Sequence, residues 1–538
     1  MDYATLLRDH VTLTCRSVDR IFLQAYVPQL QTPGWVARFL LYQRHFGFAS
    51  GLALGKIGDQ YLADIRRWAK ANNIPIHYFQ KGESKEAYAR PLIQAAANEG
   101  GDGRVVLLGI AQEKTLCWKS WRAKGQEHAA QPHMEWGRQA AFVNHFYFYL
   151  WDPDWGGAFW KTNTYCPWPI WISLNGHEWA KRQLEKAGIA YEALDNGFRS
   201  CADPAALHRI CARLGPGPVQ NFFWRWFYRL PSPFTAADLH AGYTYDLAVR
   251  QIEVADTRVF DRPQSGRAFF EGLIRDHLDI GRPQHVVLLF KREKLPRQTG
   301  TFSTKVLTKG VDPQVSCSYK SSRIKQYLKE GRALRTETVI CNTRDFGIGR
   351  RVCADNWRAL RAVGDSANQR LCDAQAQDAA PAPDVVTLSQ VTRPTKTPDG
   401  LHAPALCFGD PRVMALLSAL VGFNHVLVGF QNRQLVSLVA SLLDRPYGHR
   451  QATYDLRRLR RKGLIYRIPN SQRYQLTPVG RAVAVLFLKA HGRVLSPGFA
   501  ILDPGLPADI AARTPLAVAW RTLNHVLDDF IDSQLIAA

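Results

Sequence analysis

The sequence predicts a multidomain body of α/β or α+β class followed by a C-terminal winged helix-turn-helix domain. Three observations support this prediction. The 538 residues exceed one domain of about 150 residues. Helical and extended patterns alternate near the start of the chain, and the segment after residue 405 places amphipathic helices around a short hairpin. Hydrophobic residues make up 46% and charged residues 21%, which excludes a wholly disordered or fibrous chain.

The first predicted domain, residues 1–135, has α/β character. A helix is expected around Gln60 to Ala71, and a strand from Ile74 to Phe79. A helix capped by Ser84 and a strand from Arg104 to Ile110 follow. Neither glycine-rich nucleotide motif, G-x-G-x-x-G or G-x-x-x-x-G-K-[ST], occurs, so dinucleotide and P-loop binding have no support.

The second predicted domain, residues 136–290, is a tryptophan-rich α+β domain. Eleven of the 15 tryptophans lie between residues 118 and 226. This density predicts a large aromatic core, with a surface for base stacking as the alternative.

A candidate metal site lies in the tryptophan-rich domain. Asp152 and Asp154 flank Pro153 at the end of an apolar run, where a strand could present two oxygens to one cation. His177 and Glu178 follow in the segment NGHEWAKRQ. Carboxylates in this arrangement predict that Asp152 and Asp154 are Mg²⁺ ligands. Asp152, Asp154 and Glu178 are also candidate catalytic residues. An ordinary Asp-Pro-Asp turn is the alternative.

The third predicted segment, residues 291–373, is basic and contains a β-hairpin. Residues 291–351 carry 15 Lys or Arg against five acidic residues. Such a cluster creates a local positive field that attracts phosphate. The basic side chains expected to bind nucleic acid here are Lys320, Arg323, Lys325, Arg332, Arg335, Arg350 and Arg351.

Strand alternation in the hairpin places Tyr327 between Lys325 and Lys329 on one face. The two lysines are expected to lower the pKa of the phenol and to attract a phosphate. Tyr327 and Lys329 are therefore candidate catalytic residues, and a hairpin that only binds backbone phosphate is the alternative. The segment resembles the tyrosine-plus-lysine segments of rolling-circle replication initiators and relaxases, but it lacks the two-histidine metal motif that those enzymes require.

Residues 374–405 are predicted to be a Pro/Ala-rich linker, because this stretch holds five prolines and few large apolar residues. The domain after it, residues 406–538, begins with a helix that Asp410 caps and Pro411 starts. Asn432 is expected to cap a second helix.

A third helix is predicted from about Thr453 to Lys462, with arginines along its outer side. Two short strands, Leu464 to Ile468 and Arg473 to Leu476, then form a hairpin, and Thr477 with Pro478 starts another helix.

This order of elements resembles bacterial winged helix-turn-helix regulators over about 85 residues. The resemblance implies that the third helix lies in or beside the major groove of DNA. The residues it assigns to that helix are Tyr454, Arg457, Arg458 and Arg461, and it assigns Arg473 of the wing to phosphate or the minor groove. Use of the domain only for protein docking is the alternative.

Four segments resemble a widespread set of long bacterial proteins of uncharacterised function. They are IPIHYFQKGESKE, VNHFYFYLWD, NGHEWAKRQ and SRIKQYLKEGRALRTETVICNTRDFGIGRR. The resemblance implies a shared architecture with a C-terminal winged helix, and it transfers no activity or catalytic residue.

The net charge of +23 points to a polyanionic partner. This charge leads us to expect a nucleic-acid-binding protein. We expect it to be cytoplasmic, because the chain lacks a secretory signal pattern and a membrane span. No C-x-x-C pair occurs that could chelate zinc or exchange thiols. The large body favours a nuclease or strand transferase of a mobile-element type. A non-catalytic regulator or the protein component of a ribonucleoprotein is the alternative. DNA is the expected partner with RNA as the alternative, no membrane partner is expected, and a homodimer is left open.

Overall fold

The computed structural model describes residues 3–125, 134–270, 285–289, 302–309, 312–378, 383–421, 429–443, 445–491, 495 and 515–536. The chain forms two compact units. The body unit comprises His10–Gly266 and Ser318–Asn368, and the C-terminal unit comprises Met1–Asp9, Arg267–Cys317 and Gln369–Ala538. The predicted boundary at residue 135 thus falls inside the body unit.

The strands are, in chain order, β1 Val11–Tyr26, β2 Ile76–Tyr78, β3 Arg104–Arg122, β4 Met134–Asp152, β5 Gly156–Asn163, β6 Ile170–Asn175, β7 Tyr191–Leu194, β8 Gly197–Cys201, β9 Asp246–Phe260, β10 His285–Leu289, β11 Phe302–Lys309, β12 Asp312–Tyr319, β13 Ser322–Lys329, β14 Ala333–Ile340, β15 Thr395–Lys396, β16 His402–Ala403, β17 Ile465–Arg467 and β18 Tyr474–Leu476. In the body unit, neighbouring strands pair in the order β13-β14-β9-β1-β6-β5-β4-β3-β2. These pairs are antiparallel except β2 with β3, which is parallel.

The α-helices are Tyr3–Asp9, Pro33–Arg38, Gly51–Ala71, Lys85–Glu99, Gly176–Lys186, Pro204–Arg213, Pro216–Phe227, Ala236–His240, Ala354–Asp378, Val385–Thr392, Pro411–Leu420, Asn432–Leu443, His449–Arg461, Pro478–Ala490 and Pro515–Ile536. Single turns of other helix types occur at Gln29–Gln31, Phe39–Gln43 and Thr343–Phe346. The mixed α/β class of the body is confirmed.

Local signals placed several elements correctly. Ser84 accepts a hydrogen bond from the backbone N–H of Ala87 and starts the helix Lys85–Glu99. The helix predicted around Gln60 begins earlier, because Ser50 caps it and buried side chains already follow helical spacing from Ala53. The strand expected from Arg104 extends to Arg122, where its pairing with β4 ends.

Tryptophans form much of the body core, as the first interpretation of their density predicts. Trp155, Trp160 and Trp168 are less than 2% exposed. Trp160 stacks on Phe223 with ring centroids 5.2 Å apart. Each large aromatic side chain of this kind removes much apolar surface from water, so these residues contribute strongly to the stability of the body.

The C-terminal unit contains the predicted series of helix, helix, helix, hairpin and helix. Asp410 accepts from the N–H of Val413, and Thr477 accepts from the N–H of Gly480, so two caps are confirmed. Asn432 instead lies inside its helix, where its side chain donates to Thr453. The third helix begins a turn earlier than predicted, because Gln451 accepts from the N–H of Gly448.

The stretch predicted to be a linker is ordered over residues 383–405. It forms the helix Val385–Thr392 and the strand pair β15–β16. Val391 and Ala403 are buried, and Val391 belongs to the core of the C-terminal unit. The four prolines of residues 383–405 therefore accompany short packed elements, and they do not indicate an extended chain there.

A glycine fixes how closely the helix Gly176–Lys186 approaches the sheet. A Cβ atom at Gly176 would overlap the backbone carbonyl oxygen of Val18 in β1. We expect Gly176→Ala to lower the free energy of unfolding by at least about 2 kcal/mol, because backbone atoms cannot yield as a side chain can. Urea denaturation measures the change.

Gly217 provides the matched control, since it also lies in the first turn of a helix and a Cβ there would meet nothing within 4 Å. Gly217→Ala should leave the unfolding midpoint unchanged or raise it. An equal loss in both variants would contradict the close approach at Gly176.

Candidate metal centre

Three buried carboxylates converge on one face of the body sheet. They are Asp19 of β1, Glu253 of β9 and Glu337 of β14. One oxygen from each lies within 4.8 Å of the others. The three residues are 1%, 5% and 1% exposed, respectively. Carboxylates gathered in this way could hold a metal ion.

A β-bulge places Asp19 in this cluster. Val18 pairs with Val254, and Ile21 pairs with Ile252, so two residues of β1 lie opposite Glu253 alone. Bulges of this kind change the direction of a side chain and are frequent beside functional sites. Asp19 is buried here, whereas Arg20, the other residue of the bulge, is exposed.

Strand pairing explains why Glu337 joins Glu253. Val339 pairs with Glu253 and Glu337 pairs with Ala255 across β14 and β9. Since alternate residues of a strand share a face, Glu253 and Glu337 point to the same side of the sheet. Lys325 of β13 lies directly opposite Glu337.

Two cations compensate the three acids. Arg335 Nη1 lies 3.5 Å from Asp19 Oδ2 and 3.6 Å from Glu337 Oε1. Lys325 Nζ lies 2.6 Å from Glu337 Oε2 and 3.6 Å from Glu253 Oε2. Lys325 approaches Glu337 without the direction of a hydrogen bond, so Glu337 Oε2 is a buried oxygen that accepts none.

Neutral groups complete the surroundings of Asp19. Asn196 donates to Asp19 Oδ1 at 2.7 Å, and His177 Nδ1 lies 3.0 Å from the same oxygen. Burial lowers the pKa of His177, so its ring is neutral at pH 7. His177 then donates to Asp19 through Nδ1 and accepts the Ser17 hydroxyl at Nε2, 2.7 Å away.

The acids differ in their protonation. Burial raises the pKa of Glu337, and the neighbouring charge of Asp19 raises it further. Burial acts in the same direction on Asp19, but His177 and Arg335 outweigh it and hold the pKa of Asp19 well below its ordinary value. A hydrogen bond joins the two carboxyls. Burial and the charge of Asp19 therefore favour the protonated form of Glu337, whereas the surroundings of Asp19 favour its ionised form.

The donor set suits a hard cation. All three groups offer oxygen, which is the ligand atom that Mg²⁺ and Ca²⁺ select, and none offers the thiolate or imidazole typical of Zn²⁺. Glu337 Oε2 accepts no hydrogen bond but faces the Lys325 ammonium at 2.6 Å, so a cation bound at this oxygen would have to displace Lys325. We name these three residues with Lys325 and Arg335 the acidic centre.

Tyr327 belongs to the edge of the acidic centre. Its hydroxyl donates to Glu337 Oε1 at 3.0 Å. The expectation that lysines lower its pKa is wrong, because burial and the nearby charge of Glu337 raise it. Lys329 pairs with Asp195 at 3.6 Å. Tyr327 as a nucleophile and Lys329 as its helper stay predictions.

Asp152 and Asp154 lie in a different cluster. Arg225 bridges them, with Nη1 3.1 Å from Asp152 Oδ2 and Nη2 2.5 Å from Asp154 Oδ2. Trp226 and the backbone N–H groups of Asp154 and Trp155 also donate to Asp152. A cation at Asp152 would have to displace Arg225, as a cation at Glu337 would have to displace Lys325, but three carboxylates converge at the acidic centre and two meet here. Glu178 pairs with Lys181 at 2.6 Å.

The basic residues predicted to bind phosphate divide into buried and exposed ones. Arg335 is 0% exposed and contacts Asp19 and Glu337, and nucleic-acid binding by this residue stays a prediction. Lys325 faces the acidic centre with 20% of its side chain exposed. Arg323 is exposed, Arg332 is half-buried, and Arg351 is exposed beside Asp246. Two others contact neighbouring backbone or side chains, namely Lys320 through Asp345 O and Arg350 through Asn342 Oδ1.

In the C-terminal unit, the helix His449–Arg461 exposes Tyr454 and Arg457. Arg458 instead donates to Pro404 O, and Arg461 donates to His402 O at 2.7 Å. These two arginines attach the helix to the segment that had been predicted to be a linker. Arg473 donates to the carbonyl oxygen of Gly429. Base contacts by Arg458, Arg461 and Arg473 stay predictions, whereas their contacts within the unit are observed.

A second charged cluster on the same body sheet surrounds Glu113 of β3. Lys85, Lys161 and Tyr147 all donate to its carboxylate. Burial alone would raise the pKa of Glu113, but these three donors lower it to about 2. The carboxylate is thus ionised and held by two ammonium groups.

No protein-family model, curated protein or solved structure matches the chain. None of the described helices is long and apolar enough to cross a membrane.

The contribution of Glu113 to the free energy of unfolding depends on pH, and the direction of its pKa shift fixes the sign of that dependence. A depressed pKa in the folded state contributes stability above the ordinary value of 4.5, and this contribution is lost as the pH falls toward about 2. We expect Glu113→Gln to reduce the free energy of unfolding by up to about 3 kcal/mol at pH 7. In urea denaturation series, the difference from the wild type should shrink below pH 4.5. A difference that stays constant with pH would contradict the ion-pair assignment.

Proposed function

We propose that the protein binds nucleic acid and processes it by cleavage or strand transfer with a divalent cation held at the acidic centre. The observation that carries this proposal is the approach of Asp19, Glu253 and Glu337 within 4.8 Å at buried positions. Burying carboxylates is costly unless cations compensate them, and a functional site is one reason for a protein to retain them.

The ligand chemistry supports Mg²⁺ as the cation. Carboxylate oxygens bind Mg²⁺ in enzymes that act on phosphates, usually through one or two protein groups and several waters. When bound, such a cation stabilises the charge that develops on a phosphoryl group. The raised pKa of Glu337 favours its protonated form, and cation binding should favour its ionised form.

Residues around the acids have separable roles in this proposal. Lys325 is the most exposed of the charged groups at the centre, with 20% of its side chain accessible against 7% for Glu253. It is suited to bind a phosphate oxygen of the substrate. Tyr327 orients Glu337 through its hydroxyl, and His177 orients Asp19. Arg335 balances the buried negative charge.

The C-terminal unit supports nucleic acid as the partner. Residues 445–473 carry nine Lys or Arg and one acidic residue. Tyr454 and Arg457 are exposed on the third helix. Beside it lies a cleft of about 510 Å³, lined by Gln431, Asn432, Arg433, His449, Thr453, Leu456, Gln472 and Tyr474. A basic helix next to a polar cleft and a short hairpin fits the winged-helix resemblance and suits DNA.

If the acidic centre holds a cation, both the thermal stability of the protein and its cleavage activity should depend on Mg²⁺. Mg²⁺ should raise the thermal unfolding midpoint of the wild-type chain, because a ligand that binds the folded state stabilises it by mass action. Asp19→Asn and Glu337→Gln should each abolish this increase. Magnesium-dependent cleavage of single-stranded or duplex substrates should be lost in the same variants.

Glu113→Gln is the matched control, because it also removes one charge from a carboxylate held by lysines on the body sheet. It should keep the response to Mg²⁺ and the cleavage. A cation response that survives both Asp19→Asn and Glu337→Gln would place the metal elsewhere and contradict the proposal.

Duplex binding should depend on Arg457. We expect Arg457→Ala to weaken binding by about 1–3 kcal/mol if the guanidinium reads a base, or to reduce the salt slope by about one if it contacts phosphate. Fluorescence anisotropy at several salt concentrations measures both. Arg90→Ala, at an exposed position of the body, is the control and should change neither. Equal binding by the wild type and Arg457→Ala would remove the third helix from the interface.

A non-catalytic DNA-binding regulator is the second candidate function. It is favoured because Arg335 and Lys325 already balance the negative charge of the acids, so no metal ion is needed to compensate them. In that case the acidic centre is a structural network. Duplex binding would then depend on Arg457, and Mg²⁺ would affect neither stability nor the nucleic acid.

A further inference from the structure

The body sheet has a solvent-facing area beside the acidic centre. In β1, Ile21 and Leu23 are fully buried, whereas the alternate residues Phe22 and Gln24 are half-buried. The same alternation of buried and half-buried residues occurs in β5 and β6. Since alternate residues of a strand share a face, one face of these three strands packs into the core and the other reaches solvent.

Strand pairing places aromatic, polar and basic side chains side by side on the solvent-facing side. Phe22 pairs with Ser173, and Gln24 pairs with Trp171, across β1 and β6. Trp171 pairs in turn with Lys161 of β5, and Lys161 Nζ lies 5.0 Å from the centre of the Trp171 ring. We name these five side chains the open face.

The aromatic side chains are the informative part of the open face. The solvated side of an antiparallel sheet usually carries polar residues, but here Phe22 and Trp171 are diagonal neighbours on adjacent strands. Sheets that bind single strands use aromatic side chains in this way, because unpaired bases stack on them. The bases of a duplex already stack on one another, so such rings select an unpaired strand.

The exposed charged groups around the open face are mainly basic. The side chains of Lys85, Lys161 and Lys325 are 31%, 15% and 20% exposed, respectively. The carboxylates of the acidic centre are at most 7% exposed. Glu113 is 29% exposed, but Lys85 and Lys161 both pair with it. A polyanion that approaches this face therefore meets ammonium groups before it meets the buried acids.

Arg20 connects the open face with the acidic centre. It follows Asp19 in the bulge of β1, and it is exposed. Partial burial lowers the pKa of Arg20, but the charges of Asp19, Glu253 and Glu86 raise it, so the guanidinium lies close to these carboxylates. A guanidinium binds a phosphate through two parallel N–H groups, which suits Arg20 to a backbone phosphate at this position.

We propose that the open face binds an unpaired nucleic-acid strand, with bases stacked on Trp171 and Phe22 and backbone phosphates bound by Arg20 and Lys325. This inference rests on the proposed function and specifies its substrate class. An unpaired strand uses both the rings and the basic groups, whereas a duplex uses only the basic groups. A strand bound in this way brings a phosphodiester beside the acidic centre.

The first test measures strand binding without a metal ion. Labelled oligonucleotides of about 20 thymidines or uridines, which form no base pairs with themselves, are titrated with the full chain in EDTA and followed by fluorescence anisotropy. Trp171→Leu should weaken binding about 5- to 150-fold, the range for the loss of one stacked base. Trp121→Leu is the matched control, because Trp121 is a 41% exposed tryptophan near the other end of β3. It should bind like the wild type, and circular dichroism confirms that both variants are folded.

The second test removes a phosphate contact and does not depend on a half-buried residue. Arg20→Ala should reduce the slope of log affinity against log salt concentration by about 0.7, the value for one phosphate contact on a single strand. Arg66→Ala, at an exposed position of the helix Gly51–Ala71, is the control and should keep the wild-type slope.

Equal binding of the oligonucleotides by the wild type and Trp171→Leu, or no binding by the wild type, would overturn the proposal. An equal loss of duplex binding in Trp171→Leu would also overturn it, because the rings would then not select unpaired bases. Cleavage is measured separately with Mg²⁺. Strand binding that depends on Trp171 but leads to no cleavage would contradict the proposed processing activity and still support the open face as a strand-binding site.

Discussion

The burial of Asp19, Glu253 and Glu337 on one face of the body sheet is the constraint on which the arrangement around it depends. Buried carboxylates are stable only when cations and hydrogen-bond donors surround them closely. Arg335 and Lys325 supply the positive charge from β14 and β13. The neighbouring strands therefore have to pair in the observed register, since a shift by one residue would turn these side chains to the other face.

The same constraint explains features away from the carboxylates. The bulge in β1 brings Asp19 toward Glu253, and the close approach of Gly176 to β1 lets the next residue, His177, reach Asp19. The surroundings shift the two acids in opposite directions, because they lower the pKa of Asp19 and raise that of Glu337. Because the pKa of Glu337 is raised, cation binding at this centre would compete with protonation of Glu337.

The sequence predicted what local signals determine. Asp410 with Pro411 and Thr477 with Pro478 start helices because capping depends on residues two or three positions apart. The acidic centre was missed, because its members come from strands far apart in the chain and meet only through a bulge and strand order. Tyr327 illustrates both the success and the failure of local signals. Strand alternation predicts its place beside Lys325, but Glu337, the acid that raises the pKa of Tyr327, lies on the neighbouring strand. The sequence predicts Asp152 and Asp154 as ligands, but it does not show that Arg225, which is distant in the chain, bridges them.

In the function that we propose, the basic C-terminal helix binds a polyanion and the acidic centre holds the cation that acts on it. The most direct measurement of this account is anomalous diffraction from crystals soaked in Mn²⁺, a hard divalent cation with oxygen preferences close to those of Mg²⁺. The account predicts one strong anomalous peak within coordination distance of Asp19, Glu253 and Glu337. A peak at Asp152 and Asp154 instead, or no peak in the body unit, would contradict it.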